Sequence, residues 1–309
     1  MIKININQKL LNKHINQTYS KLKNLIIGIN KAELSSIDKN CLEYIENNLK
    51  DILKANNEQL KVYINHFENN YENSIGIESQ KKEDWNPLYK IIREEIFEKE
   101  YNNWGSRKVQ YNTYEFVKSL DLKTCPYCNR NYTFTVDEDS GKLRPEIDHF
   151  YPKSIYPFLA MSFYNLIPSC PICNHTKSSK ISNNLINPYD VKENDFKFIY
   201  KPTDISFTQI DSKKYDTNSF EIGFKSSNKN IETFKLDELY KQHKDVVIDL
   251  LMKKTYYPKS YIEELENNFG FTQDEIYRYL LGNYKKEEDL HKRPLSKLIK
   301  DISEELDLI

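Results

Sequence analysis

The first third of the chain carries apolar residues at helical spacing. Apolar side chains recur three and four positions apart from Leu11 to Ile26 and again from Leu42 to Leu53, which is the period of one face of an α-helix. A further helix is predicted to start at Asp84-Trp85-Asn86-Pro87, because proline fits the first helical turn and apolar residues follow it at helical spacing. The pattern therefore predicts a helical region over residues 1–122.

The hydrophobic pattern changes after this region. Residues 132–136 (Tyr-Thr-Phe-Thr-Val) are rich in β-formers, and residues 137–141 have the composition of a turn. Residues 143–147 then lead into Asp148-His149. We expect a hairpin whose second strand ends at this Asp-His pair.

A short helix is predicted to start near Pro171 and to carry Asn174, Lys177 and Lys180. Residues 191–309 are then predicted to form strands followed by three helices. The β-rich segments are 196–200, 205–210 and 219–224. The helical segments are 236–251, a second after the capping box of Thr272-Gln-Asp-Glu275 that closes at Gly282, and a last one opened by Pro294.

Four of the five cysteines form two C-x-x-C pairs, Cys125–Cys128 and Cys170–Cys173. Two such pairs can bind one tetrahedral Zn²⁺, which would fix the two ends of the intervening segment against each other. Four thiolates leave no open coordination position, so the predicted zinc is structural. Cys41 lies in a helical apolar stripe and is predicted to be a buried small side chain.

The segment between the cysteine pairs carries a second set of candidate functional groups. His149 has an imidazole that can accept a proton near neutral pH, as a base that activates water must. Asp148 points to the other side of the predicted strand, and its oxygen atoms suit Mg²⁺ or Mn²⁺. Lys153 and Lys177 flank this region and could contact phosphates as point charges, although each could equally be a solvated surface lysine.

These motifs resemble those of a known family. Asp148-His149-Phe150-x-Pro152, Asn165-Leu166 before a C-x-x-C pair, and Asn174-x-x-Lys177 resemble the HNH (ββα-metal) endonucleases that contain a structural zinc. The longer strings are similar to HNH proteins of bacterial anti-phage defence operons, including Septu-like systems that pair an HNH protein with an ABC-type ATPase. The resemblance covers residues 125–180 and the string from Lys292 to Lys297.

The resemblance implies a role for each matching residue. His149 corresponds to the general base, and Asp148 and Asn174 correspond to the ligands of a catalytic Mg²⁺ or Mn²⁺. Asn165 corresponds to the asparagine that tethers the loop and orients the histidine. The last ligand is often histidine in related nucleases, so His175 is an alternative to Asn174.

The balance of charged residues limits how strongly the chain is expected to bind nucleic acid. Lys plus Arg (45) nearly balance Asp plus Glu (46), giving a formal net charge of -1. We therefore expect the isolated protein to bind nucleic acid weakly, which makes recruitment by a partner such as the ATPase plausible. The chain has neither a signal-peptide pattern nor an apolar run of membrane-spanning length, so a cytoplasmic protein without a membrane partner is predicted.

The predicted fold class is α+β and mainly helical. It comprises a helical region over 1–122, an HNH core with the four-cysteine zinc site over 123–190, and a β-then-α region over 191–309. The predicted function is metal-dependent hydrolysis of DNA phosphodiester bonds by the effector of an anti-phage defence system. The alternatives are a zinc-stapled nucleic-acid or protein-binding module without catalysis, and a ribonuclease.

Overall fold

The fold is mainly helical, with small two-stranded sheets. It was obtained as a computed structural model, which describes residues 1–77, 81–106, 109–138, 141–179, 184–204 and 217–308. The chain divides into two compact units. The helical unit contains Asn5–Leu122 and Thr133–Asn183, and the C-terminal unit contains Met1–Ile4, Lys123–Tyr132 and Asn184–Ile309.

The helical unit begins with three amphipathic helices, α1 (Gln8–Ile27), α2 (Ser36–Lys54) and α3 (Asn57–Asn70). The side chains of Asn7, Ser35 and Asn56 cap their N-termini by accepting hydrogen bonds from backbone N–H groups. The apolar positions that predicted α1 and α2 are buried, except the half-buried Tyr19, and so is Cys41. The helical prediction for this part of the chain is confirmed.

The predicted helix at Pro87 is also present, but it contains an irregular stretch. It starts as α4 (Pro87–Lys90), continues as a π-helical segment (Ile91–Phe97) and ends as α5 (Glu98–Gly105). The N–H of Glu98 bonds to the carbonyl of Arg93, five residues earlier, where an α-helix would use the carbonyl four residues earlier. A further helix, α6 (Thr113–Leu120), follows.

The strands of the helical unit differ from the prediction. β1 (Val136–Glu138) and β2 (Gly141–Leu143) form a short hairpin. The Asp-His pair ends a separate strand, β3 (Glu146–His149), which pairs antiparallel with β4 (Leu166–Ser169). The strand that ends at Asp148-His149 was therefore predicted, but the predicted hairpin between that strand and residues 132–136 was wrong. Pro145, which lacks an N–H donor, lies between β2 and β3.

A short helix, α7 (Pro171–Lys177), follows β4 directly. Its start at Pro171 and its residues Asn174 and Lys177 agree with the sequence prediction, and Lys180 lies outside the described residues. His149 faces Leu166 in the strand register. β3, its connecting loop, β4 and α7 therefore follow one another along the chain. This continuous segment contains both the Asp-His pair and the predicted residues of α7.

The C-terminal unit has one antiparallel strand pair followed by helices. β5 (Phe198–Pro202) pairs with β6 (Phe220–Phe224). The helices are α8 (Lys229–Thr233), α9 (Leu236–Tyr240), α10 (Lys244–Tyr256), α11 (Lys259–Phe269), α12 (Gln273–Leu281) and α13 (Ser296–Glu305).

Most of the sequence expectations for this unit agree with the structure. The capping box at Thr272 and the left-handed Gly282 (φ 64°) bound α12 as predicted. The predicted helix 236–251 is divided by a 3₁₀ turn at Lys241–His243. The sequence pattern missed α8 and α11, and the predicted strand 205–210 lies outside the described residues. Among the helices that the structure describes, none combines the length and apolarity needed to cross a membrane.

Candidate functional site

The four paired cysteines form a group that could hold a metal ion. The thiol sulfur atoms of Cys125, Cys128, Cys170 and Cys173 lie within 4.8 Å of one another, and all four residues are buried. The N–H of Arg130 points at the Cys128 sulfur (3.4 Å), which favours a thiolate. A closed set of four thiolates is a donor set that Zn²⁺ takes in structural sites, so these residues fit a metal such as zinc.

A second candidate site is a cavity of about 470 Å³ in the helical unit. Among the residues predicted from the sequence, those that line it are Asp148, His149, Lys153, Asn174 and His175. Asn165 and Lys177 hydrogen-bond to nearby backbone and side chains. The structure therefore brings the oxygen-bearing, imidazole and cationic groups together around one cavity.

His149 is held in a defined orientation. Its Nε2 lies 3.0 Å from the carbonyl oxygen of Ala160, and the ring lies 4.8 Å from that of Tyr101. A carbonyl oxygen only accepts hydrogen bonds, so Nε2 carries the proton and Nδ1 of the neutral ring is the proton acceptor. Burial, and then the charge of Lys153, lowers the pKa of His149 to about 3. The imidazole is therefore neutral at physiological pH and, as placed here, is a weaker base than predicted from the sequence.

Asp148 makes a buried ion pair with Lys177. The Lys177 Nζ donates to Asp148 Oδ1 at 3.0 Å and to the carbonyl oxygen of His149 at 2.7 Å. The side chains are 0% and 4% exposed. A lysine contact to phosphate would require this ammonium to leave its buried position, so the phosphate contact predicted for Lys177 stays a prediction.

Asn165 ties down the loop between β3 and β4. Its Oδ1 accepts from the N–H of Tyr151 (2.7 Å), and its Nδ2 donates to the carbonyl oxygens of Tyr151 (3.0 Å) and Leu159 (2.9 Å). Leu159 immediately precedes Ala160, whose carbonyl accepts from His149. Asn165 can therefore influence the orientation of His149 without lining the cavity.

Asn174 and His175 share one partner that the sequence reasoning missed. Glu146 Oε2 accepts a hydrogen bond from Asn174 Nδ2 at 2.7 Å and lies 3.6 Å from His175 Nε2. Glu146 is two residues before Asp148 on β3, so both carboxylates project from the same face of the strand. That Glu-x-Asp spacing was the available signal. Asn174 and His175 both line the cavity, so their positions do not decide which of them would be the metal ligand.

Three further residues of the cavity come from the helical part of the chain. Arg93, Glu98 and Tyr101 line it alongside Lys153, and Lys153 Nζ donates to Glu98 Oε1 at 2.6 Å. The sequence gives no local signal for these residues, because they lie about fifty positions before the Asp-His pair within a helical pattern.

Comparison with known proteins finds a distant relative. Septu protein PtuB of Bacillus thuringiensis is 30% identical to this chain over 99 residues, which is 31% of this chain and 35% of the relative. The chain thus spans about a third of the length of the curated relative that it matches. No family model matches the chain, and no solved structure does.

Proposed function

We propose that this protein is a metal-dependent endonuclease of the HNH type that hydrolyses DNA phosphodiester bonds. The observation that carries the proposal is the shared cavity, where the Asp148-His149 pair at the end of β3 meets Asn174 of α7. A carboxylate and an amide oxygen are hard donors that suit Mg²⁺ or Mn²⁺. A neutral imidazole beside them provides a base for water.

In the proposed reaction, His149 removes a proton from the attacking water through Nδ1. The hydrogen bond from Nε2 to Ala160 keeps the ring in the tautomer that this step requires, and Asn165 keeps the carbonyl-bearing loop in place. Asp148 and the amide oxygen of Asn174 would hold the divalent metal. When bound, that metal supplies charge stabilisation at the phosphate and the leaving oxygen.

The relative supports a role in anti-phage defence. Septu protein PtuB carries the name of a defence system, and the motif resemblance described above points to the same kind of operon. A net charge of -1 gives the isolated chain little long-range attraction to nucleic acid. We therefore propose that an ABC-type ATPase partner recruits or activates the nuclease.

The test is cleavage of supercoiled plasmid with Mg²⁺ or Mn²⁺, with and without an ABC-type ATPase of a Septu-like system. The wild type is expected to cut and His149→Ala to be inactive, at equal zinc content and thermal stability. Equal cleavage by His149→Ala would overturn the mechanism. If no protein cleaves in any condition while the wild type still binds DNA, the binding module would be the better description.

A further inference from the structure

We propose that Arg93 and Lys153 form a phosphate-binding pair at the cavity, and that Glu98 positions both of them. This inference rests on the proposed nuclease function and deepens it, since the ligand is the phosphodiester backbone of the nucleic-acid substrate. Lys153 was a candidate from the sequence, whereas Arg93 and Glu98 come from the structure alone.

Arg93 is held by several contacts before any ligand binds. Its Nε donates to Glu98 Oε2 at 3.2 Å, and one terminal nitrogen donates to the hydroxyl of Tyr89 at 2.7 Å. The guanidinium also lies 4.5 Å above the ring centre of Trp85. A guanidinium has five N–H donors, and among the described residues no partner is found for its remaining ones. A fixed planar donor group of this kind matches the oxygen atoms of a phosphate.

Glu98 joins the two cations. One carboxylate oxygen accepts from Arg93 and the other accepts from Lys153 at 2.6 Å. Burial would raise the pKa of Glu98, but Lys153 and Arg93 outweigh it and lower the pKa, so the carboxylate stays ionised. Two positive charges then share one negative charge, which leaves the group with one excess positive charge at the cavity.

The backbone brings Arg93 and Glu98 together in an unusual way. Residues five apart on an α-helix point about 140° away from each other. The π-helical segment Ile91–Phe97 instead places the N–H of Glu98 on the carbonyl of Arg93, which stacks these residues one turn apart. π-Helical segments are rare in proteins, and those that do occur often lie at functional sites.

Packing alone would be the simpler explanation for these ion pairs, and two observations favour a ligand. The side chains of Arg93 and Lys153 keep 20% and 29% of their surface exposed. Both line the same cavity as Asp148 and His149, where a scissile phosphate would have to lie. A cation pair at that place would counter the charge of the phosphate during binding.

The experiment measures binding of a fluorescein-labelled DNA duplex by anisotropy over a series of salt concentrations. The full-length chain carries His149→Ala throughout, so that cleavage cannot distort the data. We expect Arg93→Gln to weaken binding about tenfold and to lower the salt slope by about 1, as expected for one lost phosphate contact. An RNA duplex of the same sequence shows whether the contact is shared by both nucleic acids.

The matched control is Arg144→Gln. Arg144 also lies in the helical unit and also lies over an aromatic ring, 5.7 Å from the centre of the Tyr114 ring, but it does not line the cavity. We expect it to bind DNA like its parent. Equal binding by the Arg93→Gln and Arg144→Gln proteins would overturn the proposal.

Two further variants keep the test decisive. If Arg93→Gln does not fold, Arg93→Lys retains the charge, so the salt slope should hold while affinity falls, because an ammonium cannot form the planar contact. Glu98→Gln should weaken binding, and its effect should be smaller in the Arg93→Gln background, where only Lys153 remains for Glu98 to position. Full additivity of the two losses would overturn the positioning role.

The outcome also separates this inference from the proposed function. If Arg93→Gln changes neither DNA binding nor the cleavage rate of a protein that retains His149, the inferred phosphate-binding pair is wrong and the nuclease proposal stands. Arg93-dependent DNA binding without cleavage by the wild type supports the phosphate contact and removes the nuclease. A wild type that neither binds nor cleaves DNA or RNA, with or without the ATPase partner, removes both.

Discussion

The cysteine group and the Asp148 cavity are two candidate metal sites with opposite chemical designs. The cysteine group offers four identical soft donors, all buried. The cavity offers a mixed set of hard donors that already have protein partners, Lys177 on Asp148 and Glu146 on Asn174. The first arrangement suits a permanent ion. The second suits groups that exchange partners when a metal and a substrate arrive, as a catalytic site requires.

The largest expected effect is on the cysteine group. Cys170→Ser should lose the bound metal and much of the folded protein, because structural zinc is worth roughly 10–16 kcal/mol in small zinc domains. Metal analysis should find about one zinc per wild-type chain. Cys41→Ser is the control, since Cys41 is buried among helices, and it should keep its zinc. A folded, zinc-free wild type would contradict the assignment.

In the cavity, the largest effect is expected at His149. His149→Ala should lower the cleavage rate by about 10²–10⁴ while zinc content and melting temperature stay close to wild type. Asp148→Ala should also lose activity, but raised Mn²⁺ should partly restore it because the lost group is a ligand. Rescue of His149→Ala by Mn²⁺ instead would assign the histidine to the metal.

Lys177 tests whether Asp148 exchanges partners. Lys177→Met removes the ammonium and leaves a buried carboxylate without its charge partner, which should lower the free energy of unfolding by about 3–5 kcal/mol. Added Mg²⁺ should recover part of this loss in Lys177→Met more than in wild type, because the metal supplies the missing charge. Thermal unfolding with and without Mg²⁺, at saturating zinc, measures this. An identical Mg²⁺ response in both proteins would argue against a metal at Asp148.

The smallest effects distinguish the neighbours on α7. Asn174→Ala should reduce activity with partial recovery in Mn²⁺, whereas His175→Ala, whose side chain is 76% exposed, should be nearly normal. The measurement is the cleavage rate at a series of Mn²⁺ concentrations. An inactive His175→Ala that Mn²⁺ rescues would make His175 the ligand.

The sequence predicted those features that depend on local patterns. Helical periodicity placed α1 and α2, the capping box placed α12, and the two C-x-x-C pairs identified the buried cysteine group. These succeed because spacing of a few residues determines which side chains share a face or a metal. The functional roles of Asp148, His149, Asn165 and Asn174 stay predictions.

Features that depend on distant contacts were not predictable. β3 pairs with β4, which follows it after a long connecting loop. No local sequence pattern predicts that pairing. The burial of Lys177 follows from the position of α7 against β3, although a lysine in isolation reads as a surface residue. Arg93 and Glu98 both line the cavity because the helix is π-helical between them. The α-helical period of 3.6 residues per turn would place them on different faces.

In genetic terms, the segment Ile91–Phe97 has the form of an α-helix that has gained one codon. Deleting a codon between Arg93 and Glu98 would leave those two residues as neighbours four apart. Because the two residues already lie one turn apart in the π-helical segment, such a deletion would restore a regular α-helix and keep the later residues of α5, including the fully buried Trp104, close to their present faces. We therefore expect relatives in which this stretch is one residue shorter to keep the same core packing after it.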